Sequence, residues 1–458
     1  MDDLPPEILA TAFEIGVLTW GIRFLPAVCL VCRDWNSVVQ NTPHLWGIIQ
    51  VTKSSKVNRL LDQILKAKDA PLSVYISTLA SDMVSMTPVL AALIRRCSRW
   101  AKATVSSEIF GQCRWTAMFN TLEELQLSTP GVPGELFFKL SENEIPPSGS
   151  PALRVLSMIG WYEDGSWTKH LLSPSLQHLC LTPGFDNKIP VINMLDQLSR
   201  TPNARVIEFQ QVVYQNQPAG LDSTVVHLDR LISLELNFIN YPSLLLSYIA
   251  CPSLQKLIIG PRLQYEPAGH DKSLTTLAPF LSQWCRPGFV PTSLHTLELF
   301  RCMQPSDIPY LIRFLAQLPS LVVLDLDDEA LDDSPERITD EDNVFRALSS
   351  PEGARSGIGG WLCPLLMAFH FENVNIRFQD LLDVARARGC NSSSTGGVSG
   401  APRTLRAVIG LLCSEGAMEE AKELRELLEE ASCNCWGCAL DMASKYLSKP
   451  MRDHHLIH

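Results

Sequence analysis

The strongest periodicity in the chain is a six-residue string with large apolar residues at its first, fourth and sixth positions. Leu122-Leu125-Leu127 opens a series that continues through Leu153-Leu156-Met158, Leu176-Leu179-Leu181, Leu231-Leu234-Leu236, Leu254-Leu257-Ile259, Leu294-Leu297-Leu299 and Leu321-Leu324-Leu326. Ala204-Ile207-Phe209 and Leu366-Phe369-Phe371 are weaker copies, and five of the eight start-to-start steps fall between 23 and 28 residues. Alternation over so short a span predicts a strand whose apolar residues enter a core while the intervening ones line the opposite face. Copies recurring at this period predict neighbouring parallel strands, each burying the next. Pro-Ser-Leu introduces the copies at Leu176, Leu254 and Leu321, where proline ends the preceding helix. Ile308, Leu311, Ile312 and Leu315 predict one such helix, its apolar face turned inward. The fold class expected is therefore α/β: a parallel sheet with helices between its strands.

The pattern extends in both directions. Ile48–Val51, Leu72–Ile76 and Ala103–Val105 predict three degenerate strands before the clear series. Val57, Leu60, Leu61, Ile64 and Leu65 mark the helix after the first, and Thr87-Pro88 suits an N-cap and first-turn proline for the next. Pro-, Gly-, Ser- or acid-rich insertions fall at 128–151, 260–293 and 327–362. The array is expected over 48–388, followed by a flexible linker at 389–402, GCNSSSTGGVSGAP. A C-terminal cap at 403–448 comprises a last strand at Leu405 and Val408 and an amphipathic helix over 415–431, carrying Met418, Ala421, Leu424, Leu427, Leu428 and Ala431; 449–458 is a tail.

Residues 1–47 have a different character. Leu4, Ile8, Leu9 and Phe13 fall on one face of a helix starting near Pro5; Val28, Leu30, Val31, Cys32 and Trp35 form a second apolar run, and a third ends at Leu45 and Trp46. Three short helices of this size cannot bury all their apolar surface internally, so part of it must meet either the next domain or another protein. The ordered strings LPPEIL at 4–9 and VCLVCRDWNSVVQNTPHLW at 28–46 resemble an F-box, and the array behind resembles the divergent leucine-rich repeats of fungal F-box proteins. Residues 14–26 depart from the acidic, proline-containing turn usual in that family.

The resemblance implies a three-helix module docking on an SKP-family adaptor and, through it, a cullin, with a leucine-rich-repeat solenoid that recruits a target to a ubiquitin ligase. Position by position it implies that Leu4, Pro5, Ile8, Leu9 and Phe13, then Val28, Leu30, Val31, Cys32 and Trp35, and finally Leu45 and Trp46 serve the adaptor. The alternative is a repeat scaffold or ligand-binding protein whose N-terminal helices are a structural cap.

Composition narrows the functional classes. With 46% hydrophobic and 19% charged residues in 458, the chain has ample core material. A net charge of −11 without a run of Lys and Arg gives no reason to expect nucleic acid. The start MDDLPPEILA is acidic where a secretory leader is basic, and no apolar run reaches bilayer length, so an intracellular protein without a membrane partner is expected. The 14 cysteines lack the spacing of a disulfide framework.

No nucleophile elbow or phosphate-binding glycine loop occurs, and the glycines at 353–360 follow an acidic loop. Cys433, Cys435 and Cys438 make only half a zinc motif, even with His454 and His455 behind them. His178 and His370 sit at strand positions. A non-enzymatic protein with no catalytic residues, metal or cofactor is expected.

Charge offers one further expectation. Residues 325–342 hold ten acids and one Arg, and strand-flanking positions carry Glu124, Glu208, Glu235, Glu298, Asp325, Asp327 and Glu372 against a single lysine, Lys256. Glu208, Glu235, Glu298 and Asp325 should form a row broken by Ile258 and, with Asp327, face a basic segment of the target.

Overall fold

The computed structural model describes residues 4–77, 83–110, 113, 118, 120–128, 152–161, 171–183, 188–214, 225–239, 241–260, 276–327, 344–350, 361–371, 378–389, 407–411, 423–424, 426–427 and 430–433. The chain divides into two compact units, Met1–Ile189 with Asp196–Val206, and Pro190–Leu195 with Ile207–His458.

Unit 1 opens with four helices rather than three: α1 (Pro6–Trp20), α2 (Phe24–Cys29), α3 (Arg33–Asn41) and α4 (Pro43–Trp46). The run expected to continue through residues 28–35 breaks at Leu30–Cys32, because Cys32 becomes extended and caps α3, its Sγ accepting the Trp35 N–H at 3.4 Å. Parallel strands follow: β1 (Ile48–Val51), β2 (Leu72–Ile76), β3 (Trp100–Ser106), β4 (Glu124–Ser128), β5 (Val155–Trp161) and β6 (His178–Pro183). The pairing register aligns Ile49, Val74, Ala103, Leu125, Leu156 and Leu179, which are all buried.

Between these strands lie α5 (Val57–Lys66) and α6 (Met83–Ile94). Thr87 does not cap α6, and Pro88 stands inside the helix. Proline removes the N–H that would have reached the Val84 carbonyl, and the Thr87 hydroxyl donates to that carbonyl at 2.9 Å instead.

Unit 2 continues the pattern. Ser233–Asn237, Lys256–Ile259, Thr296–Phe300, Val323–Asp327, Ala368–Phe371, Ala407–Leu411 and Glu430–Cys433 pair in that order, all parallel. The register sets Leu234, Leu257, Leu297, Leu324, Phe369, Val408 and Ala431 side by side. Ala407–Leu411 is therefore not the last strand. Glu430–Cys433 takes the end of the stretch expected to be helical, although Glu423-Leu424 and Glu426-Leu427 are helical. The ladder of Ala407–Leu411 offers Glu430–Cys433 backbone partners, and strand pairing outweighs the helical spacing of Ala431.

The apolar string is a geometric unit as well as a sequence pattern. Its first and fourth residues are buried in every copy, and its sixth in every copy from Leu122-Leu125-Leu127 through Leu321-Leu324-Leu326. In successive copies, the second-position carbonyl accepts two N–H groups from the second and third residues of the next. Arg154 and Val155 donate to Glu123 at 2.8 and 3.1 Å, and His295 and Thr296 to Gln255 at 2.8 and 3.0 Å. One carbonyl with two lone pairs thus satisfies two backbone donors. The serine before the first leucine also recurs, with the hydroxyls of Ser175 and Ser293 donating to the carbonyls of Leu153 and Leu254, each at 3.0 Å. Positive φ recurs at the eighth position: at Gly160 (75°), in the irregularity between Ile159 and Trp161 of β5, and at Gln211 (59°), Phe238 (54°) and Arg301 (45°), each just past its strand.

In unit 2 the helices Pro242–Leu246, Ala278–Trp284 and Ile308–Leu315 pack in series. Phe280, Trp284 and Phe314 interlock with ring centroids 5.2–6.2 Å apart, and Trp284 Nε1 donates to the Leu246 carbonyl at 3.0 Å. The third helix buries Ile308, Leu311 and Leu315, as its spacing predicts, but Phe314 fills the place expected for Ile312.

Candidate functional site

The N-terminal helices split the sequence-derived candidates between two environments. Leu9, Phe13, Val28, Leu45 and Trp46 face inward with Val17, Leu25 and Val39. Phe13 meets Trp35 at a ring-centroid distance of 5.1 Å, and Trp46 Nε1 donates to the Val39 carbonyl at 2.9 Å. Gly16 lets α1 approach α2 closely: a Cβ there would lie 2.2 Å from the Phe24 ring, which would have to move aside. The single apolar face expected for Leu4, Ile8, Leu9 and Phe13 is therefore divided: Leu9 and Phe13 enter the core, whereas Leu4 is 47% and Ile8 55% exposed.

Pro5 and Cys32 are exposed, Trp35 is half-buried, and the α2–α3 turn presents Leu30 and Val31 at 87% and 60% exposure. Pattern reading missed Ile15, Leu18 and Trp20, which extend the exposed apolar surface along α1. The spacing of Ile8, Ile15 and Leu18, seven and three residues apart, was the available signal. Such a concentration of exposed apolar groups is the usual mark of a surface that meets another molecule.

These helices are also tied to the first strand. Gln63 is buried on α5 and its Nε2 donates to the carbonyls of Trp46 and Ile48 at 3.2 and 2.7 Å, while Lys66 Nζ stands 4.4 Å from the Trp46 ring centroid.

The outer sheet face of unit 2 holds part of the expected row: Glu235, Ile258, Glu298 and Asp325 occupy aligned positions on consecutive strands, with His370 next in line. Glu208 lies on the strand Val206–Gln210, and Asp327 is in register with Phe300. The row is not an open acidic rail. Lys256 Nζ stands 3.7 Å from Glu298 Oε1, and His370 Nδ1 donates to Asp325 Oδ2 at 2.5 Å. Asn237 donates to Glu235 Oε1.

Adjacent strands bring these groups close enough to partner within the sheet, a consequence of register that the tally of charges along the chain could not show. Burial raises the Glu298 carboxyl above its ordinary range; Lys256 opposes the shift, and Asp325 and Glu235 add to it. Glu372, most of the acidic stretch 325–342, Cys435, Cys438, His454 and His455 lie outside the described residues.

Two other polar sites hold unit 2 together. Asp307 is fully buried: its Oδ1 accepts the Ala278 N–H at 3.0 Å and the Thr276 hydroxyl, and its Oδ2 accepts the Gln304 N–H at 2.8 Å. Arg388, also fully buried, donates to the carbonyls of Leu348, Leu362 and Cys363 at 3.3, 2.6 and 3.2 Å. Desolvation pushes its guanidinium down to about 10, so it remains charged at neutral pH. Neither residue carried a sequence signal, since each is a lone polar group whose partners come from distant positions.

Burial pushes the thiols of Cys113 and Cys363 up to about 12 and raises that of Cys251, keeping all three protonated at neutral pH. Among the described residues, no group of three or more His, Cys, Asp or Glu is placed to hold a metal ion, and no helix is long and apolar enough to cross a membrane. No protein-family model matches the chain, and no curated protein matches it.

Proposed function

We propose that the chain is the substrate-recognition subunit of an SCF-type cullin-RING ubiquitin ligase. In this reading the N-terminal helices dock on an SKP-family adaptor, and a leucine-rich-repeat solenoid binds the target. The observation that carries it is the division of the F-box-like residues: Leu9, Phe13, Val28, Leu45 and Trp46 build the helical core, while Leu4, Ile8, Leu30 and Val31 are left facing outward. A module shaped only to close the end of a sheet has no use for that outward apolar set. The repeated carbonyl-to-two-amide linkage between strings supports equivalent repeats. The chain would do no chemistry itself; by holding a target and the ligase together it raises the target's effective concentration.

The links from Gln63 to Trp46 and Ile48 favour a second reading, in which the helices are a cap and the repeats a scaffold. Affinity purification separates the two. A cullin-containing complex recovered with the intact chain and lost on deleting 1–47 supports the ligase subunit. Its absence from the intact chain supports the scaffold.

The target surface is less acidic in effect than its composition, since Lys256 and His370 already engage Glu298 and Asp325. A basic target segment would compete with these partners. Recovery of the target that falls as salt rises, and on replacing Glu298 and Asp325 with Lys, supports such a segment; recovery indifferent to both rejects it.

A further inference from the structure

We propose that a cavity between the end of α1 and the start of α5 binds a small organic phosphate. The cavity has a volume of about 430 Å3, a size suited to a small ligand. Trp20, Ile22 and Leu60 form its apolar wall; Arg23, Lys56 and Arg59 bring three cations to it, and no Asp or Glu lines it. None of the three cations forms an ion pair among the described residues, in a chain whose net charge is −11. Arg23 is more than thirty residues from Lys56 in sequence, so the cluster exists only in the fold.

The backbone adds to this charge. α5 is ten residues long, has no side-chain cap on its first N–H groups and no acid in its first turn, and Lys56 and Arg59 flank that end. Its unsatisfied amides and the positive end of its dipole are therefore available to an anion.

A second observation, independent of the helix end, concerns Gln63, which lines the cavity at 3% exposure. Its Nε2 is engaged by the Trp46 and Ile48 carbonyls, while its Oε1 has no hydrogen-bond partner among the described residues. That open acceptor suits an O–H or N–H donor, which a fully ionised inorganic anion lacks and an organic phosphate carries beside its charge. Thr52, Ser54 and Ser55 on the β1–α5 loop add hydroxyl groups to the lining. Arginine and lysine around a phosphate, a carbonyl for a ligand hydroxyl and an apolar wall together define the ligand class.

Calorimetric titration of the full chain with ribose 5-phosphate, inorganic phosphate and ribose tests this. Saturable binding of ribose 5-phosphate is expected, tighter than that of inorganic phosphate, with ribose alone not binding. Lys56→Gln and Arg59→Gln, both at exposed positions, should each weaken it about tenfold or more, whereas Lys68→Gln should leave it unchanged. Three results overturn the proposal: no saturable binding below about 10 mM, equal binding by the charge variants, or no advantage of ribose 5-phosphate over inorganic phosphate. A phosphoserine peptide that binds where ribose 5-phosphate does not would also overturn it, assigning the cations to a macromolecular target.

Discussion

Removing the Asp307 carboxylate tests how the helical layer of unit 2 is held. In Asp307→Ala, the Gln304 N–H loses the carboxylate, the Ala278 N–H keeps only the Thr276 hydroxyl oxygen 3.1 Å away, and Thr276 loses a hydroxyl partner, in a place with no exposed surface at the aspartate. A buried donor left unsatisfied costs about 1–3 kcal/mol, and one amide deprived of the carboxylate, a second left on a hydroxyl acceptor and the lost Thr276 partner together give about 3 kcal/mol. Asp307→Asn keeps one acceptor oxygen and turns an NH2 group toward the other donor, so it should cost roughly half as much. The loss should be local before it is global, because Asp307 joins the starts of two consecutive helices, Ala278–Trp284 and Ile308–Leu315. Amide hydrogen exchange provides the assay: about 3 kcal/mol corresponds to a roughly hundredfold loss of protection at Ala278 and Gln304. The strand amide of Ile49 in unit 1 serves as the internal reference. A change below threefold at both sites, with an unaltered unfolding midpoint, would refute the reasoning.

Three further outcomes follow from other sites. Glu298 is held above its ordinary pKa, so its ionised form is disfavoured in the fold and the penalty appears as pH rises through the folded value; Glu298→Gln should raise the unfolding temperature at pH 7 and give no gain at pH 3, below the ordinary carboxylate range. Arg388→Ala strips three buried carbonyls of their donor and should cost about 3 kcal/mol or more in urea unfolding, without a stabilising arm at any pH from 5 to 8. Gln211 holds φ at 59°, so Gln211→Gly should be neutral or stabilising by up to about 1 kcal/mol in thermal unfolding, where glycine at an ordinary strand end would destabilise.

Period, more than composition, made the fold legible. Strands β1 and β2 have the bounds that the alternation at Ile48–Val51 and Leu72–Ile76 implied, and from β4 through Ala368–Phe371 the apolar string marks every strand except the two-residue ones at Lys188–Ile189, Val213–Tyr214, Val226–His227 and Ile249–Ala250. Where reading failed, a local rule met a tertiary alternative. Thr87-Pro88 has the form of a helix start, but the Thr87 hydroxyl substitutes for the missing amide and lets α6 run through. Ala431 has helical spacing, but an open neighbouring strand takes it.

The candidate site was legible as a set of residues and not as a surface. LPPEIL gives no way to tell that Leu9 turns inward and Ile8 outward, since that depends on where α3 and α4 lie. The acids of the outer sheet face were countable in advance, whereas the pairing of Asp325 with His370 required knowing that their strands are neighbours. Arg23, Lys56 and Arg59 escaped notice for the same reason.

The measurement that bears most directly on the proposed function is a binding titration of the purified chain against a purified SKP-family adaptor. Saturable association is expected, weakened about thirtyfold by Ile8→Ala and by Leu30→Ala if each is an anchor worth about 2 kcal/mol, with unfolding of the free chain unchanged. Leu65→Ala, which removes an equally exposed apolar group from α5, should bind as the unaltered chain does. Absence of association, or association indifferent to Ile8 and Leu30, would contradict the adaptor-docking role and leave the N-terminal helices as a cap.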